Sequence, residues 1–213
     1  MDVTSPYIDI SPVLRSGIAV FPGDTPFKRK INMSFGEGQN LDLSAIETTL
    51  HVGAHTDAPS HYHSDGKTIE ERDLKLYMGP CQVIEVMCEE GARIGVQDLK
   101  VGIIAPRILF KTNSFSDPDK WKDEFNTLSP ELVKYLFDHG VVLIGIDTPS
   151  VDPVKDKTIV AHKAIYERDM AILEGIILTH VKPGLYQLIA LPLRIEGGDA
   201  SPVRAILLDT GKN

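Results

Sequence analysis

The sequence predicts an α/β fold with a β-rich core and a few outer helices, and three observations predict it. Short runs rich in Val, Ile and Leu recur along the chain at strand length, while only two segments carry helical spacing. Hydrophobic residues make up 42% of the 213 positions and charged residues 24%, an ordinary balance for one sizeable buried core. No repeat, low-complexity tract or linker interrupts the pattern, so residues 1–213 read as a single domain.

The elements follow in order. The first half is strand-like, with candidates at Tyr7–Ile10, Gly17–Phe21, Lys28–Ser34 and Leu43–Val52, separated by turn signals such as Phe21-Pro-Gly-Asp-Thr-Pro26. Cys81–Met87, Arg107–Lys111 and Val141–Ile146 read as buried strands, and Leu185–Leu193 and Val203–Leu208 add two more. The clearest helix is Pro130–His139. Ser129 is its N-cap, Pro130 takes N1, Glu131 lies in the first turn and Gly140 follows the end. Its apolar stripe is Leu132, Val133, Leu136 and Phe137. A second, amphipathic helix is expected from Lys157 to about Asp169, with Ala161, Ala164 and Ile165 turned inward. Such helices pack on the outside of the sheet.

Bulk properties exclude some functions. The formal net charge is -8 and no basic run offsets it, which argues against phosphate-backbone contacts and hence nucleic acid. No apolar stretch approaches the roughly 20 residues of a membrane span, and the acidic start MDVTSPYIDISPVLRSG lacks the pattern of a signal peptide. A cytoplasmic location is the expectation. Cys81 and Cys88, seven apart, fall on opposite faces of one strand and read as buried small hydrophobes rather than a disulfide or a zinc site.

The chemistry concentrates in His51-Val-Gly-Ala-His55-Thr-Asp57-Ala-Pro-Ser-His61, where three histidines and an aspartate fall within eleven residues. Imidazole and carboxylate are ligands that borderline divalent metals prefer. Extended backbone would turn His51, Gly53, His55 and Asp57 to one face, with Gly53 leaving room there and Pro59 ending the strand before His61. A carboxylate can bridge two metals and a free imidazole can shuttle protons, so the cluster reads as the first half of a hydrolytic site. It does not itself distinguish two metals from one.

Further ligands must come from elsewhere. His139 suits a helix C-terminus, His63 a polar loop and His180 a strand end. His162, near the start of the second helix, is the best remaining histidine. Glu174, isolated in Ala-Ile-Leu-Glu-Gly-Ile-Ile-Leu, is either a ligand or half of a buried ion pair, because an unpaired carboxylate there costs several kcal/mol. Asp147 and Asp152 read as turn caps more than site residues, Glu89 and Glu90 as a solvated turn, and Asp199 as a turn residue that could pair with Arg204, within the chain or across a subunit boundary.

These residues resemble a known signature. The pattern H-x-G-[TA]-H-x-D-[AS]-P-x-H is similar to that of the metal-dependent cyclase family of hydrolases, and flanking blocks point to its arylformamidase branch. They are Phe21-Pro-Gly-Asp-Thr-Pro-Phe27, Gly79-Pro-Cys-Gln-Val-Ile84, Gly145-Ile-Asp-Thr-Pro-Ser150, Ala171-Ile-Leu-Glu-Gly175, Ile189-Ala-Leu-Pro-Leu193 and Gly198-Asp-Ala-Ser-Pro-Val-Arg-Ala205. The resemblance implies a homodimer with a swivelling β/β/α-like core and two zinc ions per subunit, with manganese or cobalt able to use the same ligands. It implies His51, His55 and Asp57 as ligands of the first ion, His162 of the second, Asp57 and Glu174 as bridging carboxylates, and His61 as the catalytic proton donor and acceptor. Phe21 stands where the branch usually carries a substrate-contacting Trp, which keeps an aromatic face and loses the indole N–H. Ala54 occupies a position that is often Thr.

The activity implied is hydrolysis of N-formyl-L-kynurenine to L-kynurenine and formate, in tryptophan breakdown by the kynurenine pathway. The nearest alternative is a family hydrolase acting on isatin or another cyclic amide or lactone. A serine hydrolase is disfavoured because no G-x-S-x-G elbow exists in the chain. A structural metal protein is disfavoured because closed zinc sites favour Cys and His, whereas these donors are carboxylate-rich.

Overall fold

The computed structural model describes residues 7–209. In chain order it contains β1 (Tyr7–Asp9), β2 (Lys28–Met33), β3 (Leu43–Glu47), β4 (His55–Asp57), β5 (Met78–Glu85), β6 (Arg93–Ile94), β7 (Arg107–Lys111) and β8 (Thr127–Leu128). There follow α1 (Pro130–Asp138), β9 (Leu143–Ile146), α2 (Val160–Tyr166), β10 (Ala171–Leu173), β11 (Gly184–Ile189), β12 (Ala200–Pro202) and β13 (Ile206–Asp209). The main sheet has seven strands in the order β1-β13-β11-β5-β7-β9-β10. The run β5-β7-β9-β10 is parallel, while β11, β13 and β1 add antiparallel pairs. Among the described residues no helix is long and apolar enough to cross a membrane.

Alternation sorts the strands' side chains onto two faces. Ile108, Phe110, Ile144, Ile146 and Ile172 face α1 and α2, packing with Leu132, Leu136, Ala161 and Ile165. Leu109, Leu143 and Leu173 point the other way, onto Leu188, Leu207 and Ile176. Burial on both faces explains why β7 and β9 read as continuous apolar runs. The α1 stripe holds for Leu132, Val133 and Leu136, but Phe137 is 45% exposed at its edge. The Ser129 hydroxyl accepts from Leu132 N at 3.1 Å, so the predicted cap is present.

The boundaries shift where local pattern competes with chain reversal. Gly17–Phe21 is not a strand: Gly17 has φ +97° in a turn, and Ala19 N donates to Pro118 O at 2.9 Å instead of joining a ladder. The segment expected to extend through Val52 ends at Glu47 and pairs only with β2. The second helix covers Val160–Tyr166, about half the expected length, because the chain reverses at Asp169 with φ +49°. Both cysteines are free, Cys81 buried in β5 and Cys88 beyond its end.

Candidate active site

Four elements deliver the site. β4 is short and wholly buried, paired on one side with β12 and bridged on the other to Glu174. His55 N donates to Glu174 O at 3.1 Å and Glu174 N to His55 O at 2.9 Å, so the backbone itself sets Glu174 beside His55. Thr56 Oγ1 donates to Ile172 O at 2.6 Å and fixes β4 against β10. The turn Pro59–His61 then brings His61 back over the cluster. His162 lies on the buried face of α2.

The local backbone differs from an extended ligand strand. His51 sits in a turn, and Gly53 has φ +59°. Gly53 makes no room for an ion by lacking a side chain, since a Cβ there would point at Leu14 and Pro12. It supplies a left-handed bend, and its carbonyl accepts from His55 Nδ1 at 2.8 Å. Gly175 is the complementary requirement: φ is +64°, and a Cβ would stand 2.1 Å from Gly53 O. Convergence of His51 with His55 and Asp57 thus comes from a bend, not from strand alternation.

The donor atoms converge. His51 Nδ1 lies 2.9 Å and His55 Nε2 3.6 Å from Asp57 Oδ1, while His162 Nε2 lies 3.5 Å from Asp57 Oδ2. Glu174 reaches His55 Nε2 at 3.1 Å through Oε2 and His162 Nε2 at 4.0 Å through Oε1. Each imidazole turns one nitrogen to these carboxylates and ties the other to an outer acceptor: His55 to Gly53 O, His162 to Asp152 Oδ2 at 2.8 Å, and His51 to Asp199 Oδ2 at 3.1 Å. That is the arrangement by which outer partners orient metal-binding histidines.

The donor set fits divalent metal. Ligand atoms of His55, Asp57 and Glu174 lie within 4.8 Å of one another, as do those of His51, Asp57 and His61. Asp57 Oδ1 is buried and accepts no well-aligned hydrogen bond, which leaves a lone pair for a cation. Asp57 belongs to both groups, and Glu174 stands between His55 and His162. His61 is the most open member, with 40% of its side chain exposed, its ring centroid 4.2 Å from that of His51 and its Nδ1 3.6 Å from Asp199 Oδ2.

Titration behaviour reports the same demand for positive charge. Burial alone would lower the pKa of His51, but Asp57 and Asp199 raise it to about 9. Burial likewise opposes protonation of His162, yet Asp152, Asp57 and Glu174 raise it to about 10. The Asp57 carboxyl is held well below its usual range, burial being outweighed by His162 and His51. Without a metal, two imidazolium protons would balance the buried carboxylates; a metal would displace those protons.

The cluster opens into a cavity of about 300 Å³. Phe21, Phe115 and Trp121 line it together with Ile18, Ile159 and Ile177. Phe21 is 39% exposed and meets the Trp121 ring edge-on at 5.3 Å between centroids.

The remaining histidines fall elsewhere, whereas Asp147 and Asp152 line the cavity. His139 caps α1 and contacts Tyr135 O at 2.7 Å, His180 contacts Asp9 O at 2.9 Å, and His63 stacks on Tyr166 at 3.9 Å. Asp199 does not pair with Arg204. Arg204 binds Asp9 at 2.8 Å, while Asp199 reaches into the site to His51. Asp147 accepts from Thr112 N and Asn113 N, each at 2.9 Å, a turn-capping role that burial makes costly enough to raise its pKa. Asp152 does more than cap a turn: it also accepts from Ala161 N at 3.1 Å and His162 N at 3.0 Å, and binds Arg93 at 2.7 Å. The outer carboxylates Asp152 and Asp199 and the ring of Trp121 are what sequence reasoning missed. Only the recurrence of Asp near Pro and Gly gave a local hint, and that pattern more often marks turns.

A family model described as putative cyclase matches residues 8–153. A kynurenine formamidase of Bordetella petrii is 41% identical over 205 residues, covering 95% of this chain and 98% of that protein. Among solved structures, a potential metal-dependent hydrolase with cyclase activity superposes with a TM-score of 0.80 at 29% identity, covering 94% of this chain and 96% of its own. Isatin hydrolase A of Labrenzia aggregata, bound to benzyl benzoate, shares the fold with a TM-score of 0.77 at 20% identity, covering 94% and 92%.

Proposed function

This chain belongs to the cyclase family, and from that membership we propose that it is a metal-dependent kynurenine formamidase. It hydrolyses N-formyl-L-kynurenine to L-kynurenine and formate, a step of tryptophan breakdown. The observation that carries the reading is the convergence of His51, His55, Asp57, His162 and Glu174 at the head of an aromatic-lined cavity, in a chain 41% identical to a kynurenine formamidase over nearly its whole length.

His51, His55, Asp57, His162 and Glu174 would hold the divalent metal, two ions per subunit; zinc suits this donor set, and manganese or cobalt can replace it. Bound there, the metal would supply Lewis acidity and would make water nucleophilic at neutral pH. The chain's own groups do the rest. Asp152 and Gly53 fix the His162 and His55 rings so that Nε2 of each faces inward. His61, open to the cavity and steadied by Asp199, gives a proton to the departing aniline nitrogen. Phe21 lies against the aryl ring and helps to exclude water from it. The domain acts in the cytoplasm as a homodimer on a small-molecule substrate.

The test is release of formate from N-formyl-L-kynurenine, with isatin as a parallel substrate, before and after chelation and after zinc is restored. Loss with the chelator and return with zinc are expected. Turnover that survives full metal removal rejects the metal, and turnover of isatin alone rejects the substrate.

A further inference from the structure

We propose that Trp121 is a specificity-determining residue that, side by side with Phe21, forms one aromatic wall for the aryl ring of the substrate. The proposal rests on the aryl-formamide reading above. Two separate loops build the wall. Phe21 comes from the loop after β1, and Trp121 from the loop between β7 and β8. Ala19 N donates to Pro118 O at 2.9 Å, and Arg15 pairs with Asp119, so the loops are joined.

The indole is backed and oriented rather than loose. Phe115 and Phe125 meet it edge-on, with centroids 5.9 and 6.2 Å away, and Phe125 is fully buried behind it. Its Nε1 donates to Asp123 Oδ1 at 2.9 Å, which leaves the ring half-buried on the cavity wall. Nothing in the hydrolytic cluster requires this ring, because the imidazole and carboxylate groups are all positioned by other residues. An aromatic face on the wall of a hydrolytic cavity favours formamides of anilines over those of alkyl amines.

Trp121 is also the only tryptophan in the chain, so its emission reports on this one place. L-kynurenine absorbs where indole emits and serves as the probe on the intact, metal-bearing protein. Saturable quenching is expected after inner-filter correction, with a dissociation constant equal to the inhibition constant of L-kynurenine. Trp121→Ala should lower the ratio of kcat/KM for N-formyl-L-kynurenine to that for N-formylglycinamide by about three- to tenfold, through KM of the aryl substrate. Trp121→Phe should restore at least half of that ratio.

L-kynurenine that inhibits without disturbing the emission overturns the proposal, as does an unchanged ratio in a folded Trp121→Ala protein. A protein that leaves N-formyl-L-kynurenine intact would reject the substrate reading, and an L-kynurenine affinity, measured by calorimetry, that falls in Trp121→Ala and returns in Trp121→Phe would leave the ring contact standing.

Discussion

Asp152 offers the sharpest test of how the site is supported. Its carboxylate is buried and receives two amide N–H groups of α2, the His162 Nδ1–H and the Arg93 guanidinium. Burial alone would raise its pKa, but His162 and Arg93 hold it down to about 2 from 3.8. That difference corresponds to about 2 kcal/mol of folding stability. The sign follows from linkage. A depressed carboxyl pKa stabilises the fold fully above the unfolded pKa, and the contribution drains away as pH falls through the folded one. Asp152→Asn in the metal-stripped protein should therefore lose about 2 kcal/mol between pH 7 and 5, and the gap to wild type should narrow below about pH 4. Urea unfolding read by circular dichroism measures it, with the thermal midpoint expected to fall by roughly 4–8 °C. The same variant should hold zinc about 10- to 100-fold more weakly, because the His162 ring loses its anchor. A loss under about 0.5 kcal/mol at pH 7, with zinc affinity unmoved, would refute the reasoning.

Other perturbations separate the remaining roles. Gly175→Ala forces a Cβ toward Gly53 O at a left-handed backbone angle, and should cost about 3 kcal/mol or more in thermal unfolding; an unchanged midpoint would contradict the close approach. Glu174→Gln should purify with less metal, counted by atomic emission, and full retention would argue against a shared carboxylate. His61→Ala should lower kcat by about 100-fold or more with metal content intact, whereas loss of the metal would make His61 a ligand.

Much of this was legible in the chain because the chemistry is locally dense. The His51–His61 segment declares its donors within eleven residues, and Glu174 betrays itself as a charge in an apolar run. β7 and α1 were readable because burial on both faces and a Ser-Pro start leave strong local marks. The errors share a cause. Gly17–Phe21 and the 48–52 end of the expected Leu43–Val52 strand have strand composition, but partners elsewhere in the chain decide their conformations: Pro118 O accepts from Ala19 N in the first, and Thr25 O from Thr49 N in the second. Asp152, Asp199 and Trp121 are invisible for the same reason: a carboxylate's aim and an indole's neighbours are long-range facts. Asp199 and Arg204, five apart in the chain, have different partners because β12 runs between them.

The pairing of β1 with β13 joins the two ends of the described chain, Tyr7 opposite Leu208. β13 is the spacer between β1 and β11, and Ile10 N also donates to Ala205 O at 3.0 Å. Loss of β13 would thus remove the strand on which β1 pairs, one of the anchors of the stretch that leads to Phe21 at the cavity mouth. Sheet closure by β13 and the aromatic wall of the cavity are thereby coupled, although no residue of β13 lines the cavity.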